Sequence, residues 1–196
     1  MKRRMPRTFY THPTLTVAKD LLGKFLVRRM PGGKVLAGKI VETEAYIGPQ
    51  DRASHAFGGK RTPRNEAEYL IGGHVYIYLV YGMYWQFNIS TGRQGSPECV
   101  LIRALEPDLN VKWKMQNVKF SNGPGKLCRW MKLDKSFYGE DLTKSRRLWL
   151  ENRGVRVSRA QIVSGPRVGI DYAGAYFAAR PWRFYLQGNP AVSKPH

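Results

Sequence analysis

The sequence predicts one α+β domain, a curved and mostly antiparallel sheet flanked by helices and carrying a projecting β-hairpin. Three observations predict it. Stretches of strand character come in pairs joined by short turn signals, which suits hairpins rather than the crossovers of a parallel sheet. Segments of helical spacing are grouped apart from these pairs instead of alternating with them. The chain has 196 residues, 42 % of them apolar, enough for one packed core and too few to expect two. The domain is expected to span 1–196, with residues 1–8 as a flexible basic arm.

Taken in order, residues 14–22 have helical apolar spacing, and Gly23 is placed to end the helix. Residues 24–30 and 34–46 read as strands joined by the turn Pro31-Gly32-Gly33. Residues 48–65 are turn-rich and basic at their end, the composition of a long functional loop. Residues 75–80 and 85–90 are strands around Tyr81-Gly82-Met83-Tyr84, and 98–105 forms another. Helices are expected near 108–118, 125–131 and 143–151, and the tail returns to strand near 166–171 and 182–187. There is no internal repeat and no linker long enough to divide domains.

Charge narrows the class of partner. Lys and Arg number 33 against 14 Asp and Glu, a net charge of +19. Such an excess opposes compaction unless a polyanion is the working partner, and nucleic acid is the common one. The basic residues are spread along the chain rather than gathered on one amphipathic helix, which argues against a membrane surface. No apolar run reaches the ~20 residues of a membrane span, and no apolar stretch follows the basic N-terminus as in a secretory signal. Cys99 and Cys128 form no Cys-x-x-Cys pair, so they read as two buried thiols in a reducing, cytoplasmic compartment.

Glu42 and Glu44 are the carboxylates inside an apolar strand, and a period of two puts Ile40, Glu42, Glu44 and Tyr46 on one face. A carboxylate buried there needs a partner, which a cation supplies. Two uses are open for each: pairing with surface Lys or Arg, or chemistry. Arg103 lies between Ile102 and Ala104 in another apolar strand, and if buried it needs an acid; Glu44 is a natural partner. In the 75–90 hairpin Tyr76 and Tyr78 share a face, as do Gln86, Asn88 and Ser90 on the return strand. Tyr78 and Asn88 can then line a pocket, ring against base and amide against its edge, while Tyr76 suits an ordinary strand former. Tyr81 and Met83 fall at or near the tip, where an aromatic can wedge between base pairs. His55 and His74 show no His-x-x-x-His or Glu-x-x-His pairing, so no metal is expected. Ser121 to Leu127 reads as a tight turn opening a helix, suited to phosphate contact with Lys126 adding charge, and lacks the spacing of a nucleotide-binding loop.

At these residues the chain resembles the alkyladenine (3-methyladenine) DNA glycosylase family. The resemblance is carried by Leu21-Leu22-Gly23-Lys24, Ile40 to Tyr46, Gly48-Pro49 with Asp51, Ala53-Ser54-His55-Ala56 and Arg61-Thr62-Pro63-Arg64-Asn65. It continues through Tyr76-Ile77-Tyr78, Tyr81-Gly82-Met83-Tyr84, Asn88-Ile89-Ser90, Val100 to Pro107, Gly123 to Cys128, Arg167-Val168-Gly169 and Arg183-Phe184-Tyr185, in order over nearly the whole chain. It implies that Glu44 is the general base that deprotonates a water, with Arg103 and the backbone carbonyl of Val168 also holding that water. It implies that Tyr46, His55 and Tyr78 enclose a flipped base, that Asn88 disfavours a guanine amino group, and that Tyr81 fills the gap left in the duplex. Lys60, Arg64, Met83 and Lys126 are implied contacts to the DNA backbone or groove. Glu42 is left with the pairing role.

The sequence departs from the family at two places. Glu66-Ala67-Glu68-Tyr69 stands where the family often has Met-Phe after Arg-Asn, so no DNA contact carries over to Glu68. Gln86 stands where the family often has Cys, a change in pocket size or polarity. The chemistry so implied is hydrolysis of an N-glycosidic bond in duplex DNA by a monomer. The carboxylate stabilises oxocarbenium-like charge on the sugar and activates water, and an alkylated, cationic purine stacks well on tyrosine. Hypoxanthine, ethenoadenine, 3-methyladenine and 7-methylguanine are the expected bases. No cofactor and no lysine adduct are expected. The competing expectations are a basic DNA- or RNA-binding module without chemistry, which has no use for a carboxylate in its groove, and an RNA-directed factor.

Overall fold

The computed structural model describes residues 3–108 and 121–193. The helix expected near 108–118 lies outside the described residues from 109 onward. The elements run β1 (Arg3–Arg4), α1 (Arg7–Tyr10), α2 (Thr14–Asp20), β2 (Phe25–Arg29), β3 (Val35–Ile47), β4 (Val75–Val80), β5 (Tyr84–Ser90), β6 (Glu98–Pro107), β7 (Ser121–Asn122), α3 (Pro124–Met131), β8 (Leu148–Asn152), β9 (Ile162–Gly165), α4 (Ala175–Ala178) and β10 (Arg183–Leu186). Short 3₁₀ turns punctuate the 48–69 segment. The strands form one sheet in the order β1-β8-β2-β3-β6-β5-β4, with β10 joining β3 to β9 and β7 on β6. Every pairing among the described residues is antiparallel, as expected for α+β.

The sheet has two unlike faces because its strands alternate. One face carries Leu26, Ile40, Ala45, Val75, Ile77, Phe87, Ile89, Val100 and Ile102, packed with Val17 and Leu21 from the α2 region and Leu127 and Met131 of α3. This is the hydrophobic core, and burying a side chain such as Ile or Phe there contributes about 1.5–3 kcal/mol. The other face carries Tyr46, Tyr76, Tyr78 and Cys99 and the buried polar residues Glu42, Glu44, Asn88 and Arg103. Cys99 and Cys128 are free buried thiols, as the sequence suggests.

Three expectations are corrected. The stretch 143–151 is not a helix: Leu148 and Leu150 enter the main core while Trp149 faces the opposite side, the period of a strand, and β8 pairs with β2 and β1. Residues 3–8 are docked rather than a free arm. Arg3 and Arg4 pair with β8, the Met5 N–H donates to Leu150 O at 3.0 Å, and Arg7 bridges to Asp141 and donates to the Gly72 carbonyl at 2.6 Å. The tail strand falls at Ile162–Gly165, not 166–171; residues 166–170 leave the sheet and cross to the polar face.

The hairpin tip is backbone-strained. Tyr81 (φ 51°) and Gly82 (φ 66°) both have positive φ, and the Met83 N–H donates to Val80 O at 3.1 Å, the sign pattern of a type I′ turn. Glycine adopts this conformation freely, whereas tyrosine pays roughly 1–2 kcal/mol for it. The hairpin is buttressed beside its tip by α3, where a Cβ on Gly125 would come within 2.9 Å of the Tyr84 ring. Tyr81 itself is 86 % exposed and makes no compensating packing. Replacing Tyr81 with Gly should therefore leave stability unchanged or raise it by up to about 1 kcal/mol in denaturant melts; a loss of more than 1 kcal/mol contradicts the strain argument.

Candidate active site

The site is built on an irregularity of the central strand pair. Ile40 pairs with Leu105, Glu42 with Ala104 and Thr43 with Ile102, so the register shifts twice within three residues. Val41 is extra on β3 and Arg103 is extra on β6. Strict alternation is thereby broken: Ile40 packs into the main core with Ala45, whereas Val41 packs with Ala104 in a separate cluster. The expectation that Ile40 shares a face with Glu42, Glu44 and Tyr46 is corrected by this bulge. Its consequence is that Arg103 meets both glutamates.

Glu42 is fully buried, not paired at the surface as expected. Its Oε1 accepts from Arg103 Nε (2.9 Å), Arg183 Nε (2.7 Å) and Ser193 Oγ (2.7 Å), and its Oε2 accepts from the Ser193 N–H (2.7 Å). That clamp leaves Arg103 Nη1 directed at Glu44 Oε1, 3.2 Å away. Glu44, also fully buried, accepts on Oε1 from the Val168 N–H at 2.8 Å and on Oε2 from the Tyr46 hydroxyl at 2.9 Å. The structure thus brings Glu44, Arg103 and Val168 together, with the Val168 amide N–H making the contact to the carboxylate. Burial opposes charge on Arg103, but Glu44 and Glu42 outweigh it and hold its pKa above the usual value. Burial, reinforced by Glu44, raises the Tyr46 pKa, so its hydroxyl stays a donor.

A second buried pair fixes the loop over the site. Arg167 Nη1 and Nη2 reach Asp51 Oδ2 and Oδ1 at 2.5 and 2.8 Å, and Nη1 also donates to the Ala45 carbonyl at 3.0 Å. Asp51 accepts from the backbone of Ile47 and Ala53, so one carboxylate orders the start of the 48–65 loop. The Arg167 guanidinium lies 4.7 Å from the centre of the Tyr46 ring. Three buried acids, Glu42, Glu44 and Asp51, are matched by Arg103, Arg167 and Arg183.

Beside Glu44 stands an aromatic wall. The His55 ring lies edge-on to Tyr78 with centroids 4.6 Å apart, and Tyr76 and Tyr78 are 5.1 Å apart. His55 Nδ1 is 2.5 Å from the Tyr76 hydroxyl. The inner side of the His55 ring is desolvated against these tyrosines, and with Arg64 and Lys60 nearby its pKa is pulled down to about 4. Asn88 is buried, its Nδ2 donating to the Tyr76 and Gln86 carbonyls at 3.2 Å each. Gln86 pairs across from Tyr78 and is partly exposed. Tyr76, read from the sequence as an ordinary strand residue, orients His55. The other residues missed were Arg183, Ser193 and the Asp51–Arg167 pair. Arg183 carried the same signal as Arg103, a cation within an apolar strand; Ser193 and the Asp51–Arg167 pair had none beyond the quoted motifs.

Lys60, Arg64, Tyr81, Met83 and Lys126 are exposed, Lys126 on α3 at the core side of the sheet. Arg64 sits 5.4 Å from the Tyr78 ring centre and donates to the Leu79 carbonyl at 3.1 Å. Lys126, on the first turn of α3, donates to Asn122 Oδ1 at 2.9 Å. Glu68 is buried under the wall, away from any surface contact. Among the described residues no His, Cys, Asp and Glu side chains form a metal-binding group, and no helix is long and apolar enough to cross a membrane.

The polar sheet face thus sets a buried, cation-clamped carboxylate beside clustered tyrosines in a strongly basic chain. Residues 8–190 match the family of methylpurine-DNA glycosylases, and the chain belongs to that family. It is 48 % identical, over 97 % of this chain and 96 % of the relative, to a putative 3-methyladenine DNA glycosylase of Methanocella arvoryzae. A protein of the same description from Desulfitobacterium hafniense is 45 % identical over 97 % of this chain and 98 % of its own. The human DNA-3-methyladenine glycosylase is 40 % identical over 97 % of this chain and 68 % of its own.

Two predictions follow from the geometry. Arg167→Met leaves Asp51 buried without its counter-charge and should cost about 3–5 kcal/mol in denaturant melts, with Asp51→Asn in the same chain recovering a large part; a single-mutant loss below 1 kcal/mol removes the pair as the anchor of the loop. The fold disfavours protonated His55, so its ring should titrate by NMR near pH 4, and stability tied to it should be lost as pH falls from about 6.5 through 4. A midpoint above 6 contradicts the packing described.

Proposed function

We propose that the protein is a monofunctional DNA glycosylase that turns a damaged purine out of duplex DNA and hydrolyses its N-glycosidic bond with a water activated by Glu44. The observation that carries this reading is the Glu44 carboxylate. It is held at the foot of the tyrosine wall by two hydrogen-bond donors, the Val168 N–H and the Tyr46 hydroxyl, and by the ion pair with Arg103, and of its roughly four lone-pair directions one on Oε2 has no donor among the described residues. That direction suits a water. Arg103 supplies the counter-charge on the opposite oxygen, and the Val168 carbonyl is proposed to hold the same water.

In the proposed cycle Tyr81, strained and exposed at the hairpin tip, enters the stack where the nucleotide has left. The extruded base lies among Tyr46, His55 and Tyr78, and Asn88 faces its edge and disfavours the amino group of guanine. Neutral His55 and the tyrosine rings favour a flat, cationic or electron-poor purine. As the bond to the base breaks, positive charge develops on the sugar. Glu44 stabilises that charge, takes the proton of the water as its oxygen bonds to the anomeric carbon, and the base departs to leave an abasic site. Lys60, Arg64, Met83 and Lys126 hold the backbone or groove, and the net charge of +19 supplies nonspecific attraction. Proposed bases are 3-methyladenine, 7-methylguanine, hypoxanthine and ethenoadenine, with the protein acting as a monomer.

The test is a duplex carrying one hypoxanthine or ethenoadenine and a second preparation carrying 3-methyladenine, with release of free base measured in single turnover. Wild type should release at least one of them. Glu44→Gln should keep DNA affinity within a few-fold and lose about 10²–10⁴-fold in rate. Retained turnover in Glu44→Gln removes Glu44 as the base. Binding to damaged duplex with no release by wild type favours the non-catalytic binder instead.

A further inference from the structure

Behind the tyrosine wall lies a polar chain that the hydrolysis above does not use. Glu68, in the 3₁₀ turn Glu66–Tyr69, is 1 % exposed. Its Oε1 accepts from the Cys99 thiol of β6 at 3.3 Å, and the same thiol lies 3.9 Å from Asn88 Oδ1 on β5. Glu68 Oε2 has no hydrogen-bond partner. Both Nδ2 hydrogens of Asn88 are committed to the Tyr76 and Gln86 carbonyls. The amide is thereby oriented with Oδ1 toward Cys99. One thiol hydrogen faces two acceptors, and a buried carboxylate with one oxygen unpartnered is costlier than the neutral acid in the same place.

We propose that Glu68, acting through Cys99, is a positioning residue that sets the hydrogen-bond state of Asn88 Oδ1 and so tunes how strictly the pocket rejects a purine bearing a 2-amino group. The proposal rests on the reading of Asn88 as the residue that disfavours guanine. When Glu68 is ionised it holds the thiol hydrogen, and Asn88 Oδ1 is free to accept from a 2-amino group, which relaxes discrimination. When Glu68 is neutral the thiol turns to Asn88 Oδ1 and takes one of its two lone pairs, which leaves a poorer acceptor for that amino group, and discrimination tightens. Cys99 itself stays a thiol, because burial raises its pKa well above the usual value.

The groups facing Glu68 are Cys99 on β6, Asn65, Tyr69, Tyr76 and Tyr78 on β4, and Tyr138. None of these is a cation; Arg64 lies over the Tyr78 ring and Arg61 over the Tyr69 ring. Burial pushes the Glu68 carboxyl up to about 7, with the Cys99 thiol and the Asn65 amide acting in the opposite direction. The acid is therefore neutral below that pH and ionises through it.

The experiment measures single-turnover release of hypoxanthine, which lacks the 2-amino group, and of 7-methylguanine, which has it. The duplexes are otherwise identical and the pH runs from 6 to 8.5. The readout is the hypoxanthine to 7-methylguanine rate ratio of each variant relative to wild type, in which the intrinsic lability of each base cancels. Relative to wild type at pH 8.5, Glu68→Gln should raise the ratio by about threefold or more, and the gap should close toward pH 6. Cys99→Ala should lower the ratio relative to wild type, most strongly at pH 6, while Cys99→Ser, which keeps a donor, should restore it. A purely structural role would slow both bases together and leave the ratio unmoved. Hypoxanthine release with a ratio unchanged in Glu68→Gln and Cys99→Ala overturns this proposal alone. Absence of release of either base by wild type overturns the glycosylase reading and this one with it. Should Cys99→Ala fail to fold, the isosteric Glu68→Gln comparison across pH decides by itself.

Discussion

Arg103 held between two buried glutamates is the constraint on which the rest of this structure depends. A guanidinium and two carboxylates away from water are costly unless every charge and donor has a partner. The fold meets that demand with the double register shift between β3 and β6, which sets Arg103 against Glu42 and Glu44 at once. Arg183 and Ser193 complete the coordination of Glu42 from the end of the described chain. The strand β10 and the tail are thereby tied to the central strands by charge as well as by sheet hydrogen bonds. Glu42 anchors Arg103 so that Glu44 can be held without being used up as a structural counter-ion.

The same logic divides the sheet into an apolar face that stabilises and a polar face that carries the candidate site. On the core side, aliphatic and aromatic residues from β2 to β6 pack with α2 and α3 and supply the hydrophobic stabilisation. On the other side, nearly every polar group is tied to a neighbour across the chain: Asp51 to Arg167, His55 to Tyr76, Asn88 to the Tyr76 and Gln86 carbonyls. Exceptions on this side include the strained Tyr81 and two buried atoms without a partner, Glu68 Oε2 and Arg167 Nε. Stability is given up where a side chain must stay in an unfavourable state, and such places gather at functional sites.

Much of the architecture was legible in the chain because local pattern and tertiary demand agree there. The alternation in 75–90 placed Tyr78 and Asn88 on the polar face and Val75, Ile77, Phe87 and Ile89 in the core. The helix from Thr14, read from its apolar spacing, and the helix opened by Pro124, with proline in its first turn, both form. The misreadings have physical causes. Leu148-Trp149-Leu150 is too short a run for periodicity to separate helix from strand, and pairing with β2 decided it. The basic N-terminus gives no apolar pattern, yet Arg7 is fixed by Asp141 and the Gly72 carbonyl, partners about 65 residues or more away in sequence.

Composition, strand alternation and motifs by themselves determined the class of fold, the excess of positive charge and the residues Glu44, Arg103, Tyr46, His55, Tyr78 and Asn88 as those worth placing. Only the tertiary structure decided what each touches. A bulge shifts every following side chain to the other face, and no local sequence period announces it. Hence Glu42 is a buried clamp rather than a surface partner, Ile40 belongs to the core, and the Val168 amide reaches Glu44 across 124 positions of the chain. Long-range pairing of charges buried on one sheet face is a property of the folded whole, which is why it appears only when the strands are laid side by side.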